Sequence, residues 1–378
     1  MVFKAFGRTS FLAILAGVIS TVIAPAPSTA SSLGAPAVAT TIGAAEWRAY
    51  AANFIDRSGR VIDREKGGVS HSEGQGYGLL LSVYADDRAT FERILGFTMA
   101  RMRRGDGLIS WLYDPRQYPA IADTNNATDG DILIAYALSV AAVKWNDARF
   151  LKTAMPLIDA IGRHLLDDRN GVVRVRPAMF GFEAPHHVDG PVVNLSYYVY
   201  GAFLLFDSID DRHPWGEAWQ SGLQMTLAAL TGREGLAPDW ITLRRDRFMA
   251  PASAMPRKSS YDAVRIPLYM ALGGRVPGQY FAPFDNAWNV RGNRAPKDYD
   301  LAADRAVMDM NDTGYRAIAA LAACAARGRP VPTALRRYRT TTYFASSLHL
   351  LTLATLRSTY PDCMRNEGQQ LSAARLPR

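Results

Sequence analysis

The chain has 378 residues, a formal net charge of +8 and an apolar share of 48%. That length buries a large core, in one large domain or two ordinary ones. The basic residues are scattered among acids, and the densest clusters, Arg244–Arg247 and Arg336–Arg339, sit in no nucleic-acid module, so nucleic acid is excluded as a partner.

At the N-terminus, Lys4 and Arg8 precede an apolar run from Phe11 to Ala24, and Ser28-Thr29-Ala30 supplies the small residues that a signal peptidase reads. We read residues 1–30 as a secretory signal and residues 31–45 as a flexible leader. Residues 46–360 read as a single domain and residues 361–378 as a tail. No later stretch reaches the ~18–20 apolar residues of a membrane span. The mature protein is therefore expected to be exported, to the periplasm or beyond, with no membrane span. In that compartment Cys324 and Cys363 could pair, although nothing in the local sequence brings them together. The histidines form no pattern such as H-E-x-x-H, and neither cysteine has metal-site spacing. No metal and no cofactor are expected.

Helical periodicity begins at Trp47, where Trp47, Tyr50, Ala51 and Phe54 share a face. After a turn at Asp56–Asp63 it resumes over Gln75–Ala85, Ala89–Arg103, Asp129–Lys144 and Arg149–Leu166. It returns over Ser196–Ile209, Trp215–Leu230, Tyr261–Leu272, Met310–Ala325 and Thr340–Thr355. This makes about ten helices, with Gly171–Val175 the best candidate strand. The spacing predicts a mostly α chain of antiparallel helical hairpins, numerous enough to form a ring.

Three stretches carry more chemistry than a helix needs. Ser72-Glu73-Gly74-Gln75-Gly76-Tyr77-Gly78 opens a helix with three glycines, which permit close approach. Ser72 and Gln75 also fit a capping box, with Glu73 favoured by the helix dipole. Asp129-Gly130-Asp131 follows Asn125-Asn126, and two aspartates exceed what capping requires. Ser260-Tyr261-Asp262 opens a third helix, with Arg265 three residues on, where an ordinary helical ion pair is the plain alternative. With Trp111 nearby, these helix starts predict a cleft lined by acids and aromatic rings. Paired acids and flat rings are the chemistry of glycoside hydrolysis.

The segments S-E-G-Q-G-Y-G (72–78), A-T-D-G-D-I-L-I-A-Y-A (127–137) and S-Y-D-A-V-R (260–265) resemble, in order and spacing, the three hallmark blocks of glycoside hydrolase family 8. G-R-V-I-D (59–63) fits ahead of them. Within the family, the chain is most similar to the periplasmic endoglucanases of bacterial cellulose synthesis. The resemblance implies an all-α fold, an (α/α)6 barrel of six inner and six outer helices. It also implies an inverting endo-β-1,4-glucanase acting on cellulose or cello-oligosaccharides, with the cellulose synthase machinery as a partner. Glu73 matches the general acid and Asp262 the general base. Asp129 matches a carboxylate that holds the sugar distorted, and Tyr197 a tyrosine beside the attacking water. Gln75, Tyr77 and Arg265 of the blocks, with Trp111 and Trp288, become candidate substrate contacts. The family has proline where this chain has Leu195, and an apolar residue where it has Ser139.

One tension is physical. A general acid needs a raised pKa, whereas a helix N-terminus lowers one, so burial or a neighbouring acid such as Asp129 must oppose the dipole at Glu73. Other family 8 specificities (lichenan, xylan, chitosan), a helical-ring polysaccharide lyase and a non-catalytic glycan-binding protein are the alternatives.

Overall fold

The computed structural model describes residues 38–169, 171–183, 186–187, 190–243, 249–289 and 295–365. The predicted signal, leader residues 31–37, the Arg244–Arg247 cluster and tail residues 366–378 lie outside the described residues.

Eleven α-helices occur among the described residues: α1 (Ala44–Phe54), α2 (Ser72–Tyr84), α3 (Arg88–Arg101), α4 (Thr128–Lys144), α5 (Ala148–Leu165), α6 (Tyr200–Ile209), α7 (Trp215–Ala228), α8 (Ile266–Ala271), α9 (Ala282–Trp288), α10 (Thr313–Arg327) and α11 (Tyr343–Thr359). Two predicted helices begin as separate 3-10 turns, Leu195–Tyr197 before α6 and Ala263–Arg265 before α8. At the second, Pro267 stands in the first turn of α8, where a missing N–H is tolerated. Helix α9 is too short at seven residues to show a periodic signal. The strands are equally short. The candidate strand appears as Val172–Val175, antiparallel to Leu166–Arg169, and two three-stranded antiparallel sheets were not legible because their strands have two to five residues.

Helices α2, α4 and α11 are buried almost all round, whereas α5 buries one face and shows the strongest amphipathic pattern. In sequence, α2 packs on α3, α4 on α5 and α6 on α7, as short-looped hairpins do, and α10 packs on α11 across a longer connection. The most extensive helix contact is α2 on α4. A Cβ on Gly76 would stand 2.6 Å from the Leu133 Cβ, and one on Gly130 would stand 2.7 Å from the Glu73 backbone nitrogen. Any larger residue at either point would push the two helices apart.

Two expected substrate contacts belong to this packing instead. Gln75 is fully buried, accepts the Val61 N–H at 2.6 Å and donates to the Gly59 carbonyl at 3.2 Å and to Thr98 Oγ1 at 2.8 Å. Its amide satisfies backbone that would otherwise be buried unpaired. Trp288 is 3% exposed and packs on Phe284, with ring centres 5.3 Å apart. It fills the core and does not line the cleft that holds Glu73.

The ordered body is wider than residues 46–360. Thr41 and Ile42 donate backbone N–H groups to the Tyr84 carbonyl at 3.0 and 3.2 Å, and Ile42 is buried. At the other end, Cys363 lies in the 3-10 turn Pro361–Met364 and is disulfide-bonded to Cys324 of α10, 39 residues earlier. The link closes a loop around α11. Removing such a link frees the unfolded chain, by an amount that loop length sets at about 2–4 kcal/mol. Cys324→Ser with Cys363→Ser is therefore expected to lower unfolding stability by about that amount, read from urea denaturation with and without reductant. Equal stability of the double variant and the parent would show that α11 is held by packing alone.

Candidate active site

The N-terminal ends of α2, α4, α10 and α11 and the turn before α8 open onto one cleft of about 720 Å³. Glu73, Trp111, Asp129, Tyr197, Asp262 and Arg265 all line it. Tyr77 does not. It lies one turn below Glu73, fully buried, donates its hydroxyl to Glu73 Oε1 at 3.1 Å and shares a 2.6 Å hydrogen bond with the Tyr269 hydroxyl. Tyr77 therefore orients the Glu73 carboxyl from behind.

The floor of the cleft is built around Arg265, which is 3% exposed. Its Nη1 donates to Glu73 Oε1 and to Asp129 Oδ2 (3.0 Å), and its Nη2 donates to Asp262 Oδ1 (2.5 Å) and to Ser196 Oγ (2.8 Å). Ser196 is held by the Asn194 side-chain oxygen, which takes its N–H at 3.0 Å and its hydroxyl at 2.7 Å. The helical ion pair anticipated between Asp262 and Arg265 exists, but it is one edge of a four-way node. Glu73 and Asp129 share one nitrogen, and Asp262 takes the other. The Tyr197 ring lies against the same guanidinium, 5.9 Å from ring centre to Arg265 Cζ.

Three carboxylates meet a single cation here, in poor contact with water. Burial pushes Asp129 up to about 7. Asp262 is raised well above the usual aspartate value by burial, then by the charges of Asp239 and Asp129. Its side chain keeps 29% of its surface open, so the cleft walls thin the solvent around it while a water or sugar hydroxyl can still reach it. The second aspartate of the D-G-D stretch, Asp131, faces away. It accepts the Ile109 N–H at 2.7 Å and the Asn126 amide at 2.8 Å, and burial pushes it up to about 8. It ties the segment carrying Trp111 to the start of α4. The excess over capping thus divides between one cleft acid and one structural cross-tie.

The rings are held as firmly as the acids. Ser72 N–H bonds to the Trp111 carbonyl at 2.9 Å, the Trp111 indole donates to Asp123 at 2.8 Å, and the ring stacks on His71 with centres 6.1 Å apart. Trp240, which the sequence reading did not single out, is stacked on Phe182 at 5.5 Å and edge-on to Tyr197 at 6.1 Å. Tyr261, Tyr315, Tyr343 and Phe344 also line the cleft, as do Asp63, Glu65, Lys66 and His71. Tyr315, Tyr343 and Phe344 start α10 and α11, so the criterion that found the other helix N-termini would have found them too. Trp240 lies in irregular chain before a three-residue strand and carried no such signal. Among the described residues no group of acids, histidines and cysteines is placed to hold a metal ion.

Comparison with known proteins agrees with this geometry. The sequence profile of "Glycosyl hydrolases family 8" matches residues 25–357. A "Probable endoglucanase" of Novacetimonas hansenii is 33% identical over 280 residues, 73% of this chain and 81% of that protein. An "Endoglucanase" of Cellulomonas uda is 34% identical over 226 residues, 60% of this chain and 62% of that protein's length. Among solved structures, an endo-β-1,4-glucanase from Acetobacter xylinum superposes with a TM-score of 0.74 at 31% identity, over 83% of this chain and 97% of that one. The order of the motifs, the cleft they build and the extent of the profile match converge: this chain belongs to glycosyl hydrolase family 8.

Proposed function

We propose that the protein is an exported endo-β-1,4-glucanase that cleaves β-1,4-glucan with inversion at the anomeric carbon, working in cellulose biosynthesis alongside the cellulose synthase machinery. The observation that carries the reading is the Arg265 node, which gathers Glu73, Asp129 and Asp262 at the floor of a cleft walled by Trp111, Tyr197 and Trp240. The endoglucanase names of the relatives support the reaction and the glucan. The N-terminal signal read from the sequence supports export, and no helix among the described residues is long and apolar enough to cross a membrane. Family membership and the alternation of wholly buried with one-faced helices support an (α/α)6 barrel forming a single catalytic domain over residues 46–360, with Ile42 and Cys363 attached to it.

In this reading a glucan lies along the cleft with its rings stacked on the indoles, each stack worth on the order of 1 kcal/mol. Glu73, steadied by Tyr77, gives its proton to the departing glycosidic oxygen. Asp262 takes a proton from a water on the opposite face of the sugar, and that water attacks the anomeric carbon. Its raised proton affinity suits it to that task. Asp129 holds the sugar distorted toward the oxocarbenium shape, and Tyr197 flanks the water. Arg265 holds the three acids in register around one cation. Inversion needs room for the water, with the acid and base carboxyls about 6.5–9.5 Å apart, against roughly 5–5.5 Å for a retaining pair.

Two outcomes follow from the role assignment. Glu73→Gln and Asp262→Asn are each expected to lower kcat by roughly 100-fold or more on carboxymethylcellulose, with the thermal midpoint unchanged. Activity retained within tenfold in either folded variant would remove that residue from its role. The first product released should be the α-anomer, visible by proton NMR in the opening minutes of hydrolysis. A β-anomer appearing first would overturn the inverting mechanism even with the substrate unchanged.

A further inference from the structure

Behind the turn that carries Asp262 lies an acid outside the three motif blocks. Asp239 is 8% exposed, and its Oδ1 accepts two backbone N–H groups, from Ser260 at 2.7 Å and Ala263 at 2.9 Å. Those two residues bracket Asp262 in the chain. The Asp239 backbone is itself fixed, its N–H bonding to the Lys258 carbonyl at 2.7 Å. The next residue is Trp240, so one short segment both braces the turn and presents a ring to the cleft.

We propose that Asp239 is a positioning residue for Asp262: its carboxylate clamps the 260–263 turn through two backbone hydrogen bonds, and its negative charge stands directly behind the base. The inference rests on the assignment of Asp262 as the base. A clamp alone needs only an acceptor, which asparagine would also supply. The charge has a separate consequence, because a negative group beside a carboxyl strengthens that carboxyl's hold on its proton.

The surroundings fix the sign. Around Asp262 stand Arg265 on its own turn, Asp129 from α4, Tyr197 and Asn194 from the neighbouring 3-10 turn, Lys66 from the segment before α2, and Asp239. After burial, Asp239 is the largest influence raising Asp262. Around Asp239 stand Asp298 and Lys258, whose ammonium lies 3.4 Å from the Asp298 carboxylate. Burial, and then the Asp298 charge, push Asp239 up to about 6, so it is mostly ionised at neutral pH. Asp262 must be ionised to act as base, and activity rises as pH climbs through its titration. Removing the Asp239 charge lowers that midpoint and extends activity toward acid.

The test follows the carboxyl carbons of 13C-labelled aspartates through a pH titration, with the Asp262 signal assigned from its loss in Asp262→Asn. In Asp239→Asn the Asp262 midpoint should fall by about half a pH unit or more. The acid limb of kcat/KM on carboxymethylcellulose should move the same way, with KM little changed. Asp239 loses its proton first and its charge then holds the proton on Asp262, so in the parent the two carboxyls should titrate in separate steps, Asp239 below Asp262. That second measurement stands even if Asp239→Asn fails to fold. An Asp262 midpoint unmoved in Asp239→Asn, or an Asp262 step at or below that of Asp239 in the parent, would overturn the proposal and leave Asp239 a structural acid. If Asp262→Asn stays active while the Asp262 midpoint moves as stated, the base assignment fails and the coupling survives.

Discussion

One guanidinium serving three carboxylates is the constraint on which the cleft depends. Arg265 is buried with Glu73, Asp129 and Asp262 around it, and its Nη2 donates a further hydrogen bond to Ser196. Removing that single buried cation would leave its three acids without a compensating charge, a cost of several kcal/mol. With the cation present, a surplus of negative charge remains, and protonation relieves it. A site that must keep a proton on one acid while another acts as base is served by such a surplus.

The sequence raised a conflict between the helix dipole and the need for a protonated acid, and the magnitudes decide it at Asp129. A helix N-terminus favours an anion by about 0.3–1 kcal/mol, reaching ~2 kcal/mol when partly buried. The rise of Asp129 to about 7 corresponds to roughly 4 kcal/mol in the other direction. Burial wins. It does so because Gly76 and Gly130 allow α2 and α4 to cross so closely that their first turns share one water-poor floor. The glycines that made the first motif a poor helix are what bring its carboxylate beside that of the second.

Much of this was legible in the chain. The long helices came from periodicity, with boundaries that moved by a few residues, and all three acids came from helix starts that set a carboxylate among glycines or a tyrosine and that resemble the family 8 blocks. What stayed hidden was hidden for physical reasons. Gln75 looks like a cleft residue because it alternates with glycines beside Glu73, but its side chain points to the Gly59–Val61 backbone, a long-range partner no local pattern reveals. Trp288 carries the same ring as Trp111, and only packing distinguishes a core indole from a cleft one. Asp131 and Asp129 differ by two positions on a helix and so face different neighbours, one the backbone of Ile109 and one the cation. Asp239 and Trp240 lie in irregular chain, where periodicity says nothing. The disulfide joins segments separated by a whole helix, and its geometry exists only after α10 and α11 have packed.

The central claim, that the Arg265 node keeps a proton among its three acids near neutrality, is tested most directly by neutron diffraction of deuterium-exchanged crystals grown near pH 6. The account predicts a deuteron on at least one of the Glu73, Asp129 and Asp262 carboxyls, alongside a fully deuterated Arg265 guanidinium. Three bare carboxylates around that guanidinium would contradict it.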